Sequence, residues 1–249
     1  MRSPNSPKLI IENNSLTNIK KFLLELAYKN ADLIIAQTPE MRDEINRYHD
    51  IDLNKITTFL NPLDTETIDT QIKNIENPFN PKKINIVAVG RLHKQKGFDI
   101  LIKSMKKVVN RNPNFFLHII GKDKGEEENL KELINKLDLN NYVKLYGFQN
   151  NPYKFYYYSD LYVLSSRWEG LPNTVLENLY LEKPIISTRC IPFMDKLIQN
   201  NKNGILVKVE DVTSLADAIF NYKKISEVKK YKGDNINKIL NKLVKKDIH

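Results

Sequence analysis

Two carboxylates, Glu169 and Glu177, flank a strand-to-helix passage with the makings of an anion site. The apolar run Leu161 to Leu164 reads as a buried parallel strand. Gly170 and Pro172 break it, and Pro172 or Asn173 opens a helix lasting to about Leu181. On that helix Val175, Leu176, Leu179 and Tyr180 make one apolar stripe, with Glu177 off it. Unpaired backbone N–H groups and the helix dipole at such a junction attract anions. Carboxylates beside a phosphate would repel it, so Glu169 and Glu177 suit hydrogen bonds from hydroxyls. The arrangement predicts a ligand with both a diphosphate and sugar hydroxyls; plain helix-cap carboxylates are the bland alternative.

A second constellation lies upstream. Gly90-Arg91 closes the strand Ile84–Val89, and Gln95-Lys96-Gly97 precedes a helix. Such a turn offers backbone N–H groups, a guanidinium and an ammonium to phosphate, although solvated loop cations look the same in sequence. G-x-x-x-x-G-K-[ST] is absent, which excludes a P-loop, and the absence of G-x-G-x-x-G argues against a nicotinamide enzyme. Tyr146-Gly147-Phe148 follows another strand, where Gly147 allows close backbone approach and Phe148 either meets a ligand or packs inward. His93 lies in the Gly90–Gly97 loop within reach of phosphate, whereas His118, inside an apolar strand, reads as a core histidine. Asp50-Ile51-Asp52 is a D-x-D pair, but it falls in a polar loop where surface charge is the simpler account.

The elements that must position these residues alternate in a regular way. Strands are predicted at 84–89, 115–120, 143–146, 161–164, 185–187 and 205–207, with helices at 97–110, 126–137, 152–158, 172–181, 193–199 and 212–222. Alternation of this kind argues a parallel sheet. Before it, Ser15 or Thr17 caps a helix through Lys29, Ala31–Ala36 is a buried strand, and Pro39 opens a helix to about Tyr48. The stretch 65–83 is polar, contains Pro78 and Pro81, and reads as a linker.

Composition sets the remaining bounds. A 249-residue chain with 41% hydrophobic and 28% charged residues suits a soluble globular fold. One cysteine, Cys190, excludes an internal disulfide and reads as buried filler. No apolar run can span a bilayer and Met1–Pro7 lacks a signal-peptide core, so a cytoplasmic location is expected. The net charge of +9 comes from dispersed lysine without an RNA-binding motif, so nucleic acid is not an expected partner. Nine lysines between Tyr222 and Lys246 face only Glu227 and Asp234, while Ile236, Ile239, Leu240, Leu243 and Val244 make that tail amphipathic. It either packs on the protein or lies at an anionic membrane face.

With these residues in place, the sequence resembles the retaining glycosyltransferases of family 4, the group 1 glycosyl transferases. Glu169 and Glu177 match their E-x7-E motif within Trp-Glu-Gly-Leu-Pro-Asn and Leu-Glu-Asn, followed by Lys-Pro-Ile-Ile-Ser-Thr. Gly-Arg-Leu and Lys-Gly-Phe-Asp, from Gly90 and Lys96, match the family's diphosphate site. Ala31–Ala36 with Thr38 and Met41 resembles the end of the family's N-terminal domain, and Lys55–Asp64 the crossing to the second. The resemblance covers roughly residues 31–222.

It implies an α/β fold of GT-B type: one complete Rossmann-like parallel-sheet domain preceded by a fragment of a second. Residues 1–64 would be the remnant of the acceptor-side domain, 65–83 the linker, 84–222 the nucleotide-sugar donor domain and 223–249 a basic tail. By resemblance, Arg91 and Lys96 hold the diphosphate, Glu169 binds the transferred sugar, and Glu177 binds the ribose. The backbone of Gly90 and of Gly170, Leu171 and Pro172 completes the diphosphate site, and the nucleobase lies beside Gly147 and Phe148. The implied activity is sugar transfer with retention, without metal or other cofactor, from a nucleotide-sugar to a lipid-linked or cell-surface polysaccharide, as in lipopolysaccharide synthesis. Most of the acceptor domain is missing, so a donor-binding subunit needing a separate N-terminal chain, or an inactive remnant, is the alternative; an epimerase of the same architecture would need groups in the absent half. Phe193 and Lys196 stand where the family often has Gly-x-x-Glu, which leaves the sugar open.

Overall fold

In the computed structural model residues 16–225 are described. Residues 1–15 and the amphipathic stretch beyond Ile225 lie outside them. The chain begins with α1 (Leu16–Lys29), β1 (Ile34–Ala36), α2 (Pro39–His49) and β2 (Ile56–Thr58). Thr38 caps α2, accepting from the Met41 N–H at 3.2 Å, and Pro39 occupies the first turn. β1 and β2 pair in parallel over a small core of Tyr28, Ile34, Met41, Ile45, Ile51 and Ile56. The opposite face of α1 is bare: Ile19, Phe22, Leu23 and Leu26, at helical spacing, are all at least half exposed.

The stretch read as a linker contains a helix, α3 (Thr65–Gln71). Asp64 caps it through the Thr67 N–H, and Ile68 is fully buried among Leu60, Leu63 and Phe79. Polar bonds tie this stretch to the sheet domain, with Tyr158 donating to the Ile75 carbonyl and Tyr180 to Asp69. A single buried apolar residue anchors it, too little to print a helical stripe in the sequence.

The remaining elements are β3 (Ile84–Val89), α4 (Phe98–Arg111), β4 (Phe115–Ile120), α5 (Glu127–Lys136), β5 (Val143–Leu145), α6 (Tyr153–Tyr158), β6 (Leu161–Leu164), α7 (Asn173–Tyr180), β7 (Ile185–Thr188), α8 (Met194–Leu197), β8 (Gly204–Val207) and α9 (Val212–Phe220). All six strands from β3 onward form one parallel sheet in the order β5-β4-β3-β6-β7-β8. Both sheet faces are covered: one core joins Ile86, Leu117 and Val163 to α4, α5 and α9, the other joins Val87, Tyr162 and Ile185 to α6, α7 and α8. Burial on both faces is what the apolar strand sequences require.

Candidate functional site

In this strand order β3 and β6 are neighbours although five helices and strands, α4 to α6, separate them in sequence. Their connections leave in opposite directions, which opens a crevice at their carboxyl ends, where ligands bind in open parallel sheets. Gly90-Arg91 ends β3 and Ser165–Pro172 follows β6, so the two sequence constellations meet there.

They are bonded to each other. Lys96 Nζ donates to Glu169 Oε1 at 2.6 Å, and Ser166 Oγ donates to the same oxygen at 2.6 Å. The lysine side chain is 15% exposed and the glutamate 9%. Backbone bonds lock the loops together: Ser165 Oγ donates to the Lys96 carbonyl, Gln95 Nε2 to that of Trp168, and the Arg167 N–H to that of Gln95. Gly97 has φ 62°, and a Cβ there would lie 2.1 Å from the Ser165 carbonyl oxygen. Only glycine fits this joint. At Gly90 the Lys96 stem crosses so closely that a Cβ would meet it at 3.0 Å.

Arg167, which the sequence reading passed over, clamps the back of the site. It donates to both oxygens of Asp99 at 2.8 and 2.9 Å, to the Lys94 carbonyl at 2.6 Å, and pairs with Glu210. Burial works to raise the Asp99 pKa, but the Arg167 bonds outweigh it and hold the group below its ordinary value. The adjacency of Arg167 to Glu169 was visible; its partners, on α4 and after β8, were not.

Arg91 is exposed and has no hydrogen bond or ion pair among the described residues, so its guanidinium is open to ligand. Glu177 is half-buried on α7; burial raises its pKa, and the Tyr156 hydroxyl beside it works the other way. In the loop before α7, Pro172 has no N–H to offer and the Leu171 N–H is already bonded to Gln37 Oε1 at 3.1 Å. The Gly170 N–H has no hydrogen-bond partner among the described residues. Phe148 is 67% exposed, which settles it as a surface ring and not a core one. Gly147 has φ 66°, a left-handed conformation that favours glycine, with open space around its Cβ position.

The other candidates have structural employment. His93 Nδ1 accepts from the Gln95 N–H and caps the turn before Gly97. His118 is buried between Tyr146 and Asn85, bonded at 2.9 and 3.0 Å, and burial with the Lys144 charge pushes its pKa down to about 3. Asp50 ends α2 in a left-handed conformation, and Asp52 caps the following turn through the Asn54 N–H. Cys190 is partly buried, its thiol pushed up to about 12 by burial and the Glu169 charge. Lys196 pairs with Glu40 of α2 at 2.8 Å.

A parallel sheet covered on both faces, with a crevice at its switch point, is the sheet domain of a partial GT-B fold. The family profile of the group 1 glycosyl transferases matches residues 69–238, and the chain belongs to that family. It is 40% identical over 205 residues to an uncharacterized glycosyltransferase of Methanocaldococcus jannaschii, covering 75% of this chain and 49% of that protein. It is 29% identical over 207 residues to the N-acetylgalactosamine-N,N'-diacetylbacillosaminyl-diphospho-undecaprenol 4-alpha-N-acetylgalactosaminyltransferase of Campylobacter jejuni, covering 83% of this chain and 55% of that protein. Anabaena Alr3699/HepE, solved in complex with UDP, superposes with TM-score 0.77 at 20% identity over 98% of this chain and 67% of its own. Staphylococcus aureus TarM in complex with UDP gives 0.73 at 19% identity, over 98% and 46%. The chain spans about half the length of the curated relatives it matches. No helix among the described residues is long and apolar enough to cross a membrane.

Proposed function

We propose that the crevice binds a nucleotide-diphosphate sugar and that the whole enzyme transfers the sugar with retention of configuration. The carrying observation is that Lys96 and Glu169, 73 residues apart, meet in one bond at the sheet's switch point. Arg91 and Lys96 neutralise the diphosphate as the anomeric carbon–oxygen bond breaks and charge grows on the leaving oxygen. Gly170 N–H and the α7 N-terminus add to that field. Glu169, released from Lys96 by the phosphate, accepts from sugar hydroxyls and faces the developing positive charge; Glu177 takes the ribose hydroxyls. The acceptor oxygen bonds to the anomeric carbon on the face the phosphate leaves, and its proton passes to the departing phosphate. Arg91 and Lys96 fill the role a divalent ion plays elsewhere. An undecaprenol-linked or lipopolysaccharide acceptor fits the names of the relatives, which include lipopolysaccharide core transferases.

Calorimetric titration of UDP and GDP, with EDTA present, into native chain and an Arg91→Ala/Lys96→Ala variant is the test. Micromolar binding of one nucleotide, lost in the variant, supports the assignment; equal binding by both proteins overturns it. A second reading, donor binding that needs a further polypeptide half for transfer, is favoured by the bare α1 stripe of Ile19, Phe22, Leu23 and Leu26. Orienting donor and acceptor is worth about 7–11 kcal/mol in such reactions, so this chain alone should transfer sugar poorly. Rapid transfer by the isolated chain would sink that second reading.

A further inference from the structure

A cleft of 20 Å³ separates the start of α2 from the loop after β6, walled by Thr38, Glu40, Glu44, Glu169, Gly170 and Phe193. That is room for about one water or one hydroxyl group. Glu40 reaches it from the fragment that precedes the sheet domain. Its Oε1 pairs with Lys196, while its Oε2 is buried without a hydrogen-bond partner among the described residues. The opposite wall repeats the arrangement: Lys96 and Ser166 both donate to Glu169 Oε1, and neither to Oε2. Two lysines thus each hold by one oxygen a carboxylate that lines the cleft, and the second oxygen of Glu40 is left buried without a donor among the described residues.

A buried acceptor without a donor is unfavourable until something donates to it. Phosphate cannot, because both walls are anionic; a ligand hydroxyl can. The bond from the Leu171 N–H to Gln37 Oε1, one turn before Glu40, fixes α2 against the loop, so the gap between the two carboxylates is set by the fold. We infer that Glu40 is a specificity-determining sugar contact, accepting from a hydroxyl of the transferred sugar that enters between Glu40 and Glu169. This rests on the donor site proposed above. It assigns the sugar subsite one residue from each half of the molecule, with Lys196 holding the Glu40 carboxylate in place.

The test compares matched pairs, UDP with UDP-glucose or UDP-N-acetylglucosamine and GDP with GDP-mannose, titrated into native chain, Glu40→Ala, Glu40→Gln and Lys196→Met with EDTA present. For the pair the native chain binds, Glu40→Ala should weaken the nucleotide-sugar by about tenfold, as loss of a charged hydrogen bond does, and leave the free nucleotide within about twofold. Glu40→Gln, which keeps one acceptor oxygen and the shape, should recover part of that loss. If Glu40 serves only to latch α2 through Lys196, Lys196→Met and Glu40→Ala will shift nucleotide and nucleotide-sugar alike, which overturns the inference. A cleft that merely holds water gives unchanged affinities in every variant, and overturns it too. Native chain that binds free nucleotide but no tested sugar adduct more tightly than its Glu40 variants also counts against it. If the native chain binds neither member of any pair, the donor site itself fails, and Glu40's role falls with it.

Discussion

Arg91 and Lys96 carry the same charge into the same crevice, yet the fold uses them differently. Arg91 is exposed and unpaired among the described residues, so Arg91→Ala should change stability by less than about 0.5 kcal/mol while costing most of the proposed nucleotide affinity. Lys96 neutralises a carboxylate that is only 9% exposed. Lys96→Met should therefore destabilise the chain by about 3 kcal/mol, and the Lys96→Met/Glu169→Gln pair by much less than the two single changes added together. Urea midpoints for the four proteins check both statements. His118 sets a pH dependence away from the crevice. Its folded pKa of about 3 lies below the ordinary 6.5, so between these values the unfolded chain takes up a proton that the folded one refuses. Stability should fall as pH drops through that window, by up to about 1.4 kcal/mol per pH unit from this group. His118→Gln should flatten the slope between pH 6.5 and 4, and an unchanged slope would show that other groups govern it.

At the scale of elements, the two glycines of the site make opposite predictions. Gly97→Ala puts a methyl 2.1 Å from the Ser165 carbonyl, in a left-handed backbone, so β3's turn and β6's loop must separate; a thermal scan should show a drop well beyond that of any surface change. Gly147→Ala meets open space and should cost only the left-handed penalty, about 1–2 kcal/mol. These positions also show what sequence could and could not reveal. Glu169, Gly170 and Pro172 were legible because strand end, turn and helix start are contiguous and each has its own residue signature. The six strands were legible because burial on both faces makes each one an apolar run. Helix α3 was hidden because it is anchored by Ile68 alone, and a cap at Asp64 without a stripe looks like any polar turn. The Arg167 clamp on Asp99 and the Gln37 bond to the Leu171 N–H join elements distant in sequence, and no local pattern announces them. Phe148 could be weighed either way until its exposure was seen.

For the whole molecule, the fragment ahead of the sheet domain is fastened at Gln37 and at Glu40, both beside the crevice. Lys196→Glu, which turns the second fastening into repulsion, should loosen the fragment. Faster amide exchange at α2 without loss of the sheet's protection would report this, and equal exchange rates would show that Gln37 and the packing suffice. The neighbouring placement of β3 and β6 has a consequence in time as well as in space. Gly90 and Arg91 sit at the end of a strand whose partner across the crevice is not made until some seventy residues later in the chain. Pairing so remote in sequence is slow to form, because a long loop must close before any contact rewards it. On the donor site proposed above, no partly assembled sheet that lacks the β3–β6 ladder would contain a nucleotide site. Nucleotide should then leave the refolding rate unchanged and slow unfolding, which stopped-flow measurements in both directions would check.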